Sequence, residues 1–106
     1  MKIAIIGSTQ YMDKFIEHKK ELEKNGDEVR IPALDNFKGM NEIEVCEYNR
    51  KNIEWADEVH LIWDNRSVGT IFDMGMVFAL RKPLEIIYIE KRTFENVFRQ
   101  YEKRWL

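Results

Sequence analysis

This chain of 106 residues is poor in the residue types that mark several classes of protein. Its one cysteine, Cys46, cannot form an internal disulfide bond, so nothing in the sequence indicates an oxidising compartment. The apolar run at residues 3–6 near the N-terminus is too short for a signal peptide or a membrane span. We therefore expect a cytoplasmic protein that makes no contact with a membrane.

An excess of charge of one sign is also missing. The formal net charge is −2, and acidic and basic residues are mixed along the sequence, so we expect no nucleic-acid polymer as a partner. The histidines, His18 and His60, lack metal-ligand spacing to each other or to Cys46, and we expect no metal site. Neither a GxGxxG dinucleotide motif nor a GxxxxGK[ST] phosphate loop is present.

What the chain does contain is a regular alternation of short apolar segments with helical patterns. The apolar segments predict strands, at residues 3–6, 28–32, 58–63 and 84–89. The amphipathic segments predict helices, at residues 10–25, from a cap at Asn41 to about 55, at 69–81, and after a cap at Thr93 with Phe94, Val97, Phe98 and Tyr101 on its apolar stripe. Residues 33–41 are interpreted as a loop.

The order βαβαβαβα predicts a single α/β domain over residues 1–106. Right-handed crossovers favour four parallel strands in the order 2-1-3-4, with helices on both faces, as in a small flavodoxin-like or Rossmann-like sandwich. In such sheets the ligand lies beyond the carboxyl ends of the strands, where the strand order reverses. Strands one and three flank that point here.

The loops after these two strands are the richest in glycine and hydroxyl residues. Gly7 allows a backbone to approach a ligand closely, and the hydroxyls of the first loop and the helix start after the second are suited to an anion or a ribose oxygen. The alternative interpretation is helix capping or a plain turn. The candidate substrate-binding residues are Gly7, Ser8, Thr9, Asp64, Ser67, Gly69 and Thr70.

Asp73 follows Gly69 by four residues, so it is expected one helical turn later on the same side as the loop. Its neighbours in sequence are apolar, and a carboxylate in such surroundings can act as an acid, a base or a nucleophile. The alternative is an acidic residue that stabilises the helix dipole. Gly75, in the same helix, is expected to allow close packing against the sheet or a ligand.

Together these segments resemble the nucleoside 2-deoxyribosyltransferase superfamily, and in detail its 2'-deoxynucleoside 5'-monophosphate N-hydrolase branch. The matching features are a strand that ends in Asp64, the Ser67–Gly69 loop, the carboxylate-x-glycine pair Asp73 and Gly75, and the sequence Ala-Leu-Arg-Lys-Pro at 79–83 before a strand. The resemblance implies that Asp73, where the family has a glutamate, attacks the anomeric carbon. It also implies that Ser8 and Ser67 contact a 5'-phosphate, that no cofactor is needed, and that the protein is a homodimer.

The activity implied by this resemblance is cleavage or transfer of the N-glycosidic bond of a nucleotide or nucleoside. Ser67 favours a 5'-monophosphate, since family members that act on free nucleosides tend to carry an acid there. The alternative is a module that senses or sequesters a nucleotide without cleaving it, because nucleotide-binding domains of the SLOG type share the opening Gly-Ser and a Gly-Thr turn. An Asp73 carboxylate that faces the Ser8 and Ser67 loops across a pocket would favour catalysis.

Overall fold

A computed structural model describes residues 1–33, 39–91 and 95–106 of the chain. The four strands are β1 (Lys2–Gly7), β2 (Glu28–Arg30), β3 (Glu58–Trp63) and β4 (Leu84–Ile89). The four helices are α1 (Met12–Lys24), α2 (Glu42–Trp55), α3 (Val68–Ala79) and α4 (Glu95–Lys103), and a 3-10 turn at Thr9–Tyr11 precedes α1. The predicted alternation of strands and helices is confirmed.

The strands form one parallel sheet in the order β2-β1-β3-β4, which confirms the predicted topology. Ile5 lies beside His60 in the β1–β3 register, and His60 lies beside Glu85 in the β3–β4 register. Because the order reverses between β1 and β3, their carboxyl ends open the crevice where ligands bind in folds of this type.

The two faces of the sheet are covered unequally. The larger core joins one face to α2, α3 and α4, through side chains that include Ile53, Val77 and Phe98. The smaller core packs Phe15 of α1 against Ile5 and Ile62 on the other face. Trp63, which is fully buried, stacks on Phe98 with 5.1 Å between ring centroids, so it belongs to the core.

Several side chains fix the ends of these elements. Asn41 caps α2, as predicted, by accepting a hydrogen bond from the Glu44 amide. The Glu44 carboxylate accepts one from the Asn41 amide in return, which completes a capping box. At the other end of α2, the Lys82 ammonium donates to the Ala56 carbonyl at 2.7 Å. On the outer edge of β4, the Ile86 amide donates to the Glu102 carboxylate of α4 at 2.6 Å.

The observed boundaries differ from the predicted ones at a few places. β2 ends at Arg30 rather than at residue 32, and α3 covers residues 68–79 rather than 69–81. Val97, predicted on the apolar stripe of α4, is 52% exposed. The predicted cap Thr93, its neighbour Phe94 and residues 34–38 of the predicted loop lie outside the described residues. Among the described helices, none has the length and apolar character to cross a membrane.

Candidate functional site

A cavity of about 280 Å³ lies at the carboxyl ends of β1 and β3, as the fold predicts. It is bounded by the loops after these two strands, by the start of α3, by the segment after β2 and by one side of α2. Its described lining residues are Gly7, Ser8, Thr9, Pro32, Ala33, Val45, Cys46, Asn49, Ser67, Val68, Gly69, Thr70 and Asp73. Seven of the eight predicted site residues line it, the exception being Asp64.

Asp73 projects from the second turn of α3 into this cavity and is only 5% exposed. Burial raises the pKa of its carboxyl group from 3.8 to about 7, because the protein interior solvates the ionised form poorly. Among the described residues, no cation forms a salt bridge with it. The carboxyl group therefore titrates near neutral pH and faces the Ser8 and Ser67 loops across the cavity, rather than solvent.

Asn49, on α2, is the described side chain that approaches this carboxyl group most directly. Its Nδ2 donates to Asp73 Oδ2 at 3.5 Å, and its Oδ1 accepts a hydrogen bond from the Ala33 amide at 2.9 Å. One turn later, Asn52 Nδ2 donates to the Ile31 carbonyl at 3.3 Å. These two buried asparagines hold the segment that follows β2 against α2 and thereby form one wall of the cavity.

Asn49 was not among the candidate residues predicted from the sequence. An asparagine on a helix is ordinarily solvent-exposed, and only the separation of three between Asn49 and Asn52 indicated a shared helix face. Cys46 lies one turn before Asn49 and also lines the cavity. Both residues reach the site because α2 packs beside α3.

A network of hydrogen bonds joins the two hydroxyl-rich loops at one wall of the cavity. Ser8 Oγ donates to Asp64 Oδ1 at 2.8 Å and lies 3.0 Å from Ser67 Oγ. Ser67 Oγ in turn lies 3.1 Å from Thr70 Oγ1 and accepts a hydrogen bond from Trp63 Nε1 at 2.9 Å. Neither serine side chain caps the helix that follows it, so the capping alternative is wrong for both.

Asp64 is the centre of this network. Besides the Ser8 hydroxyl, its Oδ1 accepts hydrogen bonds from the amides of Arg66 and Ser67, both at 2.9 Å. Burial opposes ionisation of Asp64, but the amides of Ser67 and Arg66 and the hydroxyls of Ser8 and Ser67 outweigh it and lower the pKa of this carboxyl group. Asp64 thus joins the two loops from behind instead of lining the cavity.

The loop glycines have different roles. Gly7 has a φ of +153°, and a Cβ at this position would lie 1.6 Å from the Ile62 carbonyl oxygen, so the backbone of β1 requires glycine here. At Gly69, in the first turn of α3, a Cβ would meet no atom within 4 Å. Gly69 and Thr70 line the cavity and belong to the first turn of α3, where the amides have no acceptors within the helix.

A second and larger cavity, of about 370 Å³, lies between α3 and α4 and is mostly apolar. Its walls include Ile71, Phe78 and Val97, which are 45%, 59% and 52% exposed. Gly75 lies on this surface, and a Cβ there would meet no atom within 4 Å, so the expectation that it allows close packing against the sheet is wrong. We interpret this region as an apolar surface, since its described walls carry no carboxyl or imidazole group.

The smaller cavity therefore combines a titratable carboxyl group, buried amides, hydroxyls and a helix start. Side chains of the types that bind metal ions lie outside this cavity: Glu58, His60 and Glu85 approach one another on the face of the sheet that carries α1.

No model of a known protein family, no curated protein and no solved structure matches this chain.

Proposed function

We propose that the protein cleaves or transfers the N-glycosidic bond of a nucleotide or nucleoside, most naturally a nucleoside 5'-monophosphate, with Asp73 as the nucleophile. One observation carries the proposal: the buried Asp73 carboxyl group and the loops of Ser8 and Ser67 border the same cavity. This is the arrangement expected of the nucleoside 2-deoxyribosyltransferase superfamily, which the sequence resembles. Membership of that superfamily is part of the proposal.

In the proposed reaction, an Asp73 carboxylate oxygen attacks the anomeric carbon as the bond to the base nitrogen breaks. The bonding electrons leave with the base, which takes up a proton at a ring nitrogen, and the sugar remains as an ester of Asp73. Water then hydrolyses the ester, or a second base displaces it. Since only the ionised carboxylate can attack, a pKa of about 7 predicts that base release rises as the pH increases through 7.

The phosphate of such a substrate would lie at the start of α3. Val68, Gly69 and Thr70, the first residues of the helix, line the cavity, and the helix dipole favours negative charge there. The Ser67 hydroxyl donates to Asp64 Oδ1 at 3.2 Å and would have to turn from this acceptor to donate to a phosphate. Because Asp64 holds this loop in place, it would act as a positioning residue for the phosphate site.

One observation favours the alternative, a module that binds a nucleotide without cleaving it. The base must be protonated as it departs, yet Asp73 is the only carboxyl or imidazole group among the described residues that line the cavity. An aspartate is also one methylene shorter than the glutamate of the superfamily, and reaction geometry tolerates little displacement. A sensor or sequestering module would need neither the acid nor the exact reach of the nucleophile.

The two functions are separated by incubating the protein with a panel of nucleoside 5'-monophosphates and free nucleosides and measuring released base by chromatography. Asp73→Asn is the matched variant, since it keeps the size of the side chain and removes the nucleophile. Base release by the wild type alone would support the glycosidase. Nucleotide binding by both proteins, with no base release by either, would contradict it and support the sensor.

The proposal includes a homodimer and a cytoplasmic location. Several apolar side chains on α3, on α4 and just after α4 are exposed in the single chain, and we assign them to the dimer interface: Ile71, Phe72, Phe78, Val97 and Trp105. Trp55, by contrast, is partly buried and packs against the core, with the Arg30 guanidinium 4.0 Å from its ring centroid. Several exposed apolar side chains on neighbouring elements are typical of an association site.

A further inference from the structure

Three side chains with metal-ligand chemistry converge on the face of the sheet that carries α1, outside the candidate active site. His60 and Glu85 are neighbours in the β3–β4 register, and Glu58 lies two residues before His60 on the same face of β3. The nearest ligand atoms of the three side chains lie within 4.8 Å of one another. This cluster does not depend on the proposed function.

His60 is the central member of the cluster and is only 3% exposed. Its Nδ1 lies 2.7 Å from His18 Nε2, on α1, in a hydrogen bond that spans 42 residues of sequence. Its Nε2 makes no hydrogen bond within the described part of the chain. This buried nitrogen instead faces two carboxylates, with Glu58 Oε2 at 3.5 Å and Glu85 Oε2 at 3.4 Å.

The hydrogen bond to His18 can fix which nitrogen of the His60 ring carries the proton. If His60 Nδ1 carries the proton and donates it to His18, the Nε2 lone pair points toward two carboxylate oxygens. In that tautomer three electron-pair donors face one another, which is unfavourable unless a proton or a metal ion lies between them. A histidine ligand of a metal ion characteristically has its second ring nitrogen fixed in this way by a partner outside the coordination sphere.

The distances from His60 Nε2 to the two carboxylates fit a small transition-metal ion. Zinc binds imidazole nitrogen and carboxylate oxygen at about 2.0–2.2 Å, so two ligands of a tetrahedral ion are separated by about 3.3–3.5 Å. The separations of 3.5 Å and 3.4 Å between His60 Nε2 and the two carboxylates agree with this value. A buried imidazole ligand favours such an ion over magnesium or calcium, which prefer oxygen ligands.

We propose that Glu58, His60 and Glu85 bind one divalent first-row transition-metal ion, for which zinc is the reference, with water completing the coordination. The Glu85 side chain is 54% exposed and that of Glu58 27% exposed, so the ion can reach the buried imidazole from solvent and retain water. The bound ion would link β3 to β4 and, through His18, orient α1 on the sheet.

The test is a titration of untagged, chelator-treated protein with Zn²⁺, in which the heat of binding is measured by isothermal titration calorimetry. Co²⁺ is titrated in parallel, because its visible absorption reports nitrogen and oxygen ligands. We expect one ion per chain and at least tenfold weaker binding in both Glu58→Gln and Glu85→Gln. His18→Ala, which removes only the partner of the ligand, should weaken binding by about 10- to 100-fold.

Glu23→Gln is the matched control, since Glu23 is an exposed glutamate of α1 outside the cluster, and it should bind like the wild type. Glu85 is exposed, so Glu85→Gln is expected to fold even if changes at His60 are not tolerated. Absence of saturable 1:1 binding by the wild type would overturn the proposal. So would unchanged affinity in the Glu58→Gln, Glu85→Gln double variant, or equal affinity for Mg²⁺.

Discussion

The Asp73 carboxyl group is buried, and nothing in the described part of the chain offsets its charge with a salt bridge. Its pKa is about 7 in the folded protein, against 3.8 for an unperturbed aspartate. Between these values the folded chain keeps a proton that the unfolded chain loses, so the free energy of unfolding falls as the pH rises. Well above pH 7, the buried carboxylate lowers the free energy of unfolding by about 4 kcal/mol in full.

Asp73→Asn should therefore make the protein more stable while removing the proposed activity. An asparagine of similar shape carries no charge, so its advantage in unfolding free energy should be greatest above pH 7, up to about 4 kcal/mol, and shrink steadily toward pH 4. Urea unfolding of both proteins across this pH range measures the difference. A difference that does not change with pH would contradict the assigned burial of the carboxylate.

At the scale of elements, the wall of the cavity depends on how α2 holds the segment after β2. Asn49 and Asn52 both bond to that segment, but Asn49 also donates to Asp73. Asn49→Ala and Asn52→Ala should each lower the unfolding free energy by about 1–3 kcal/mol, because each leaves a backbone group without its partner. Urea unfolding measures this loss.

The same pair of variants separates structural support from a role in the site. Only Asn49→Ala removes a donor to the Asp73 carboxylate, so it should raise the pH midpoint of base release, which Asn52→Ala should leave unchanged. If the protein binds nucleotides without cleaving them, the pH dependence of nucleotide affinity is compared between the two variants instead. Equal effects of the two substitutions would show that Asn49 acts only by holding the wall.

The elements that the sequence predicted well are those with strong local signals. β1, β3 and β4 are apolar runs, and Asn41 with Glu44 forms a capping box that can be recognised from spacing alone. Ser8, Ser67 and Asp73 could be predicted to line one cavity because the strand order places the loop after β1 beside the start of α3. Asn49 could not be found in this way, since its burial depends on a segment that folds over it from elsewhere in the sequence.

The same reasoning explains why the two histidines were treated as unrelated. His18 lies among lysines on α1, and His60 lies within an apolar strand, so the local pattern gives neither a partner. Their contact follows from the docking of α1 on the sheet. Gly75 was misinterpreted because a helical glycine suggests a close neighbour, whereas here it lies on an open apolar surface.

At the scale of the whole molecule, the surface of α3 and α4 predicts self-association. Phe78 belongs to this surface and is 59% exposed. Phe78→Asp would therefore place a charge in the proposed dimer interface. We expect the wild type to sediment as a dimer and this variant as a monomer. Ile16→Asp, at an exposed apolar residue of α1 on the opposite side of the sheet, is the control and should remain dimeric. A monomeric wild type at all concentrations would contradict the assignment.

The bond between the Ile86 amide and the Glu102 carboxylate has a consequence for aggregation. β4 is an outer strand, and an exposed outer strand can recruit another chain through its unpaired amides. Here one outward-facing amide is already taken by a charged side chain from α4. Growth of the sheet into intermolecular fibrils at this position therefore requires α4 to detach first, which ties the aggregation resistance of the protein to its last helix.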